Sequence, residues 1–354
     1  MRFLLLLFLL LLCGAALAQS GRVRPEGEPA PVQTPTPTPQ PSPEQRDEED
    51  GVERIDTDLA NVLLTAVDDK RRFVTTLTRE DVRVLEDGVP QQIATFQRET
   101  DLPLSIAFLI DTSASQEHVM ADEREAALAF TEAVLRPGKD TAAVVSFTGL
   151  ARIEQSPTGD MAVLRSTVGT VKVEYNHESP ECADESPPEI RIRCLTGVWD
   201  AVVIAARAVL ARTPQTTRRA IILLSDGDDS SSKTPLYRAV EEAVRENVVV
   251  YSVGIRDEDF PSGELRRSWL RAVSEDTGGR AFFPKNRAQL DAAFAQIAAE
   301  LRSQYLITYT PTNRAKDGSF RRVSVEITNP ALRKQKLRLL YRQGYYARKV
   351  VSSQ

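Results

Sequence analysis

Histidine is almost missing from this chain: His118 and His177 are the only two in 354 residues. Cysteine is nearly as scarce, with three, and none stands in CxxC spacing. These shortages remove the imidazole and thiolate ligands that zinc or copper centres prefer. They also leave no credible nucleophile–base pair for covalent or acid–base catalysis. A basic block is lacking too. Lys and Arg number 45 against 50 acids, both scattered, so the net charge of -5 is mild and nothing marks a nucleic-acid binder. Past the first residues, no apolar run is long enough to span a bilayer.

What is there begins with "MRFLLLLFLLLLCGAALAQS". One Arg, an apolar core and the small-residue ending Ala16-Leu17-Ala18 make the pattern of a cleaved secretory signal peptide over residues 1–18. Cys13 follows Leu12, which is too bulky for a lipoprotein signal. The mature chain is therefore expected to be secreted or periplasmic. In such an oxidising compartment Cys182 and Cys194, the remaining pair, are expected to form a disulfide. Its small loop would contribute up to roughly 3 kcal/mol in the chain-entropy model.

Residues 19–51 are rich in Pro, Thr, Gln and acids, a composition that buries no core and favours extended polyproline II linkers. The run Asp47-Glu48-Glu49-Asp50 within it reads as solubilising. Residues 52–100 read as a β-rich segment. "LANVLLTAV" is an apolar strand, "VRVLEDG" alternates into an Asp87-Gly88 turn, "QQIATFQ" returns, and Thr78 offers a cap for one helical turn.

From residue 101 to 303 the rhythm becomes alternating β and α. "SIAFLID", "TAAVVSF", "AIILLSDG" and "VVVYSVGI" are nearly all apolar, as strands covered on both faces must be. Helices are expected at 118–135, over "DMAVLRSTVGTV" and "GVWDAVVIAARAVLAR", after Thr234-Pro235, and over two later stretches. The fold class expected is α/β, a doubly wound, mostly parallel sheet. Residues 304–350 return to β, with "NRAKDGS" as a hairpin loop between "YLITYTP" and "RRVSVEIT". These strands are expected to pair with 52–100 into a β-sandwich-like domain.

Doubly wound sheets bind ligands beyond the carboxyl ends of their strands. Two expected strands finish there in aspartate, Asp111 and Asp226, and Thr196 precedes a long helix as a natural N-cap. If those strands are neighbours, Asp111, Ser113, Ser115, Thr196 and Asp226 face one crevice. The set is two carboxylates and three hydroxyls, all hard oxygens, which suits Mg²⁺, Ca²⁺ or Mn²⁺. Such a site is under-charged, so the cation keeps an appetite for a further anion. Asp228 and Asp229 read as a solvated turn with Ser230 to Ser232, or either as a hydrogen-bond acceptor behind the metal ligands, and Trp199 and Trp269 as packing residues.

"DTSAS" after an apolar strand resembles the DxSxS motif of the von Willebrand factor type A domain. "LTG" and "LLSDG" are similar to the second and third elements of its metal-ion-dependent adhesion site. The resemblance covers residues 104 to 303. The flanks resemble those of bacterial secreted proteins related to von Willebrand factor A. It implies that Asp111, Ser113, Ser115, Thr196 and Asp226 bind the metal, and that an Asp or Glu of a protein partner completes the coordination. The chain departs from the pattern in the polar stretch "EYNHESPECADESPPEIRIRC", which is expected near the metal loop and either shapes partner choice or covers the site. The function expected is an exported, metal-dependent, adhesion-type binding module and not an enzyme. Two rivals stay open: an envelope scaffold with a vestigial metal site, and a metal-dependent phosphotransfer enzyme. The second is weakened because Ser113 stands where a haloacid dehalogenase-type site has its second Asp.

Overall fold

The computed structural model describes residues 59–349, apart from 71, 99–101, 175–181, 183–185, 192–193, 215 and 256–264. The expected signal peptide, the linker and His177 lie outside the described residues. Four strands lead in: β1 (Ala60–Val67), β2 (Val82–Glu86), β3 (Val89–Gln91) and β4 (Ile93–Arg98). The Asp87-Gly88 turn joins β2 to β3 with positive φ at both residues, 49° and 82°, the geometry a two-residue hairpin demands. Thr78 does stand before a single 3₁₀ turn, in a reciprocal box with Asp81.

The α/β unit follows. β5 (Leu104–Asp111) runs into a 3₁₀ turn over Ala114–Gln116 and then α1 (Met120–Val134). After these come β6 (Thr141–Phe147), β7 (Ala151–Thr158), α2 (Met161–Thr170), the short α3 (Pro188–Arg191) and α4 (Val198–Ile204), which continues through a π turn and a 3₁₀ turn to Arg212. β8 (Arg218–Leu224), α5 (Leu236–Arg245), β9 (Val248–Val253), α6 (Arg267–Thr277), β10 (Ala281–Phe282) and α7 (Arg287–Arg302) complete it. The sheet order is β10-β9-β8-β5-β6-β7, parallel throughout except for β7.

β5 shows why this sheet needs helices on both faces. All eight of its residues are buried. Ile106, Phe108 and Ile110 join α1, α2 and α7 in one core, while Ala107 and Leu109 join α4, α5 and α6 in a second. Strand geometry turns alternate side chains to opposite faces, so one strand feeds both cores.

The chain closes with β11 (Tyr305–Tyr309), β12 (Phe320–Ile327), α8 (Pro330–Lys334), β13 (Arg338–Tyr341) and β14 (Gly344–Tyr346). Two four-stranded sheets result, β13-β1-β11-β4 and β14-β12-β2-β3. They enclose a third core of residues such as Leu64, Val84, Ile307 and Val325. The fold is thus α/β with a sandwich built from both flanks.

Four expectations need correction. The strand returning from the Asp87-Gly88 turn is only β3, whereas most of "QQIATFQ" is β4, which pairs with β11 in the other sheet. The loop before β12 is no hairpin: β11 pairs with β1 and β4, whereas β12 pairs with β2 and β14, so the chain crosses between sheets there. β7 was not expected as a strand. Its polar, half-exposed sequence and Pro157 suit only the antiparallel edge it occupies. The helix after Thr234 begins one residue late, with Pro235 at the N-cap and no side-chain cap, because the Thr234 amide donates to Asp200 instead. Trp199 is buried and meets Trp269 edge-on with ring centroids 6.4 Å apart, yet Trp269 itself stays 39% exposed.

The sandwich core is fixed by one acid. Glu86 is buried, and its Oε2 accepts the hydroxyls of both Tyr309 and Tyr345 at 2.8 Å. Tyr309→Phe removes one of these two donors and is expected to destabilise the protein by about 1–3 kcal/mol in equilibrium denaturation, with the α/β secondary structure retained.

Candidate metal centre

β5 is the first strand of the α/β unit, and the chain moves from it towards β6 on one side and later to β8 on the other. The strand order therefore reverses between β5 and β8, the switch point beyond whose carboxyl ends doubly wound sheets carry their ligands. Asp111 is the last residue of β5, and Asp226 lies two residues beyond the end of β8. The expected site residues sit on the three loops around this point.

The first loop is built around Asp111. Its Oδ1 accepts the Ser113 amide at 3.0 Å, and its Oδ2 accepts the Ser225 hydroxyl at 2.6 Å. Ser113 and Ser115 hydroxyls lie 3.1 Å apart, and Gln116 Nε2 donates to Ser115 Oγ at 3.2 Å. Thr112 anchors the loop by giving both its amide and its hydroxyl to the Phe147 carbonyl at the end of β6.

The second and third loops hold each other. Thr196 donates its amide to Ser230 Oγ, and its carbonyl accepts the amides of Ser230 and Ser231. Thr196 is not the N-cap of α4. Gly197 takes that place without a side-chain cap, and the helix amides are capped from across the crevice. Asp229 Oδ1 accepts the Val198 amide at 2.8 Å, and Ser232 Oγ accepts those of Trp199 and Asp200. The Thr196 hydroxyl thus does no capping. The run Asp228 to Ser232 is no solvated turn either, since Asp228 also accepts from the Arg266 guanidinium at 3.1 Å.

All five expected residues are buried: Asp111, Ser113, Ser115, Thr196 and Asp226. Burial raises the Asp111 carboxyl from its ordinary range to about 7, and the neighbouring charge of Asp226 adds to this. Hydrogen bonds from Ser113 and Ser225 pull the other way. Two residues belong to this cluster that the sequence reading did not assign. Ser225 links the first loop to the third, since it also accepts the Gly227 amide. Glu123, on the first turn of α1, is wholly buried. Its carboxyl is pushed well above the ordinary range by that burial, then by Asp111 and Asp226. A sequence signal for Glu123 existed: Met120, Glu123, Ala127, Phe130 and Val134 follow one helical stripe, and an acid in it is out of place.

Half of the buried side-chain polar atoms without a partner among the described residues lie here. Gln116 Oε1, both oxygens of Glu123 and Ser231 Oγ have none. Buried polar groups are normally satisfied, so acceptor oxygens collected beside two carboxylates fit a hard divalent cation. Among the described residues no group of three His, Cys, Asp or Glu alone could hold a metal, so the hydroxyls are needed as donors. Cys182 and Cys194 are disulfide-bonded, 12 residues apart. Most of the stretch between 174 and 194 lies outside the described residues.

No family model and no curated relative matches the sequence. Among solved structures the chain is similar to the conserved hypothetical protein BatB of Bacteroides thetaiotaomicron. The identity is 15% over 57% of this chain and 100% of that one, with a TM-score of 0.42. It is similar to a von Willebrand factor type A structure from Catenulispora acidiphila at 15% identity, over 83% of this chain and 74% of that one, TM-score 0.46. It is also similar to proximal thread matrix protein 1 of the mussel byssus, with a zinc-occupied MIDAS motif, at 15% identity. That match covers 61% of this chain and 49% of that one, TM-score 0.45. These likenesses are of fold alone. The strand order and its reversal between β5 and β8 make the α/β unit a doubly wound sheet.

The raised Asp111 carboxyl has a measurable consequence. The folded state holds a proton at pH values where the unfolded chain has lost it, so stability falls as pH rises through the window from about 4 to 7. In EDTA, thermal melts are expected to show a lower Tm at pH 8 than at pH 5.5, and Asp111→Asn should flatten that dependence. Saturating Mg²⁺ should oppose it, because the ionised carboxylate is the form that binds metal.

Proposed function

We propose that the α/β unit holds a divalent cation on Asp111, Ser113, Ser115, Thr196 and Asp226, and uses it to grip a carboxylate of a protein partner. One observation carries this reading. Two carboxylates lie buried in mutual repulsion at the one place where the sheet order reverses, with three hydroxyls on the same loops. Burying like charges together is strongly unfavourable unless something neutralises them. A hard cation does so, and oxygen-only donors select Mg²⁺, with Ca²⁺ or Mn²⁺ as close alternatives. Neutral hydroxyls leave much of the cation's charge available, which is what an incoming Asp or Glu answers.

The reading is of a binding module, not an enzyme: what these residues offer is coordination. The signal-peptide pattern of residues 1–18 places its work outside the cytoplasm, in the periplasm or beyond. No helix among the described residues is long and apolar enough to cross a membrane. A structural protein with a vestigial site is the alternative, and metal dependence separates the two.

A working site should raise the Tm with added Mg²⁺ or Mn²⁺, by the equivalent of about 3 kcal/mol at a hundredfold excess over Kd. Asp111→Ala should abolish that response. Partner capture from an envelope fraction should be lost in EDTA and restored by Mg²⁺. A partner retained equally in EDTA, or a wild-type Tm unmoved at millimolar metal, would overturn the proposal and leave the fold intact.

A further inference from the structure

We propose that Glu123 serves the metal site from outside the five ligands, through the cation's water shell, and that its charge sets the affinity for the cation; with Asp111 and Asp226 it does not form a ligand group by itself. This rests on the metal-binding reading above and deepens it.

The buried glutamates of the protein supply the comparison. Glu86, Glu123 and Glu300 are each 2% exposed or less. Glu86 accepts two tyrosine hydroxyls on one oxygen. Glu300 accepts the Tyr251 hydroxyl at 3.1 Å and faces the Arg280 guanidinium at 3.4 Å. Both behave as buried acids must, with donors or a countercharge at hand. Glu123 has neither: both its oxygens are buried and neither meets a donor.

The place of Glu123 explains what it faces. α1 begins just after the loop carrying Ser113 and Ser115, and Glu123 sits in its first turn on the face turned to the sheet. The stripe it interrupts runs on as Ala127, Phe130 and Val134 into the apolar core. Thus the acid stands at the end of that stripe nearest Asp111, and the unpartnered Gln116 Oε1 lies on the same loop. These orphan atoms are all acceptors. A missing donor on that side answers all three, and a cation with its water shell is the donor that two further carboxylates call for. The positive end of α1 favours an acid in its first turn, but it amounts to roughly half a charge and falls off quickly. It gives no hydrogen bond to either oxygen.

A third charge changes the character of the site. Two carboxylates only match a divalent cation, whereas three exceed it. Glu123 therefore tightens metal binding and reduces the cation's pull on an external carboxylate. Glu123→Gln keeps the volume and removes the charge, and Glu123→Met continues the apolar stripe; either suffices should the other fail to fold.

Titration calorimetry with Mn²⁺ alone is the test, with thermal melts in EDTA as control. The Kd for Mn²⁺ is expected to weaken ten- to a hundredfold in either variant, while the metal-free Tm is not lowered. A Kd within twofold of wild type would show Glu123 to be a spectator and overturn this inference, leaving the five-residue site standing. A wild-type protein that binds no Mn²⁺ would overturn both together.

Discussion

Three buried carboxylates at one point of the sheet are the constraint around which the rest is arranged. Asp111 and Asp226 are delivered by β5 and β8, and Glu123 by the helix that returns over them. Each alone would be tolerated at the end of a strand or the start of a helix. Burial raises the Asp111 and Glu123 carboxyls above their ordinary range, and the charges of their neighbours add to this. The loops nevertheless hold them rigidly, through Thr112 on the Phe147 carbonyl, Ser225 on Asp111 and Thr196 against Ser230. A scaffold that enforces so unfavourable a cluster suits the cation proposed above, since the cost of burying the acids is part of what binding would relieve.

That rigidity divides labour among the hydroxyls. Ser230 and Ser232 serve the backbone of the second loop and the first turn of α4. Asp229 joins them as a cap from another segment. By taking over the capping, these residues leave Thr196 unneeded for it. An N-cap supplied from outside the helix also ties loop to loop, so Thr196 on one element is positioned by residues of the next.

Legibility in the sequence followed burial. β5, β8 and β9 were plain because strands buried on both faces admit little but apolar residues, so Asp111 at the end of β5 and Asp226 two residues past β8 stand out. Gly278, left-handed at the end of α6, was an equally plain stop. β7 was hidden, because an edge strand with one half-exposed face tolerates Pro157 and polar residues. The cap by Asp229 and Ser232 was hidden for a different reason: a run of Asp and Ser has the composition of a turn, and its partners lie some 30 residues away in the chain, at Val198 to Asp200. Glu123 was masked by its position, since acids are favoured in the first turn of any helix. Local patterns report what a residue tolerates, and these three depend on what another loop brings to them.

The sandwich is attached at the end of the sheet away from the proposed metal loops. β1 pairs with β11 from Ala60↔Tyr309 to Leu64↔Tyr305, bringing together segments on either side of the whole α/β unit. Leu104 opens that unit and Arg302 ends it, and Leu63 of β1 packs against its core. The contact at the other end of the chain is polar. Arg342, just past β13, donates to the Val244 carbonyl and Asn247 Oδ1, at the turn that leads into β9. Arg245, at the end of α5, stacks over Tyr346 at 4.0 Å. These contacts lie where β9 begins, whereas the metal loops lie where the parallel strands end. The sheet therefore separates two attachments by strand polarity: its amino edge carries the flanking domain, and its carboxyl edge carries the loops of the proposed metal site.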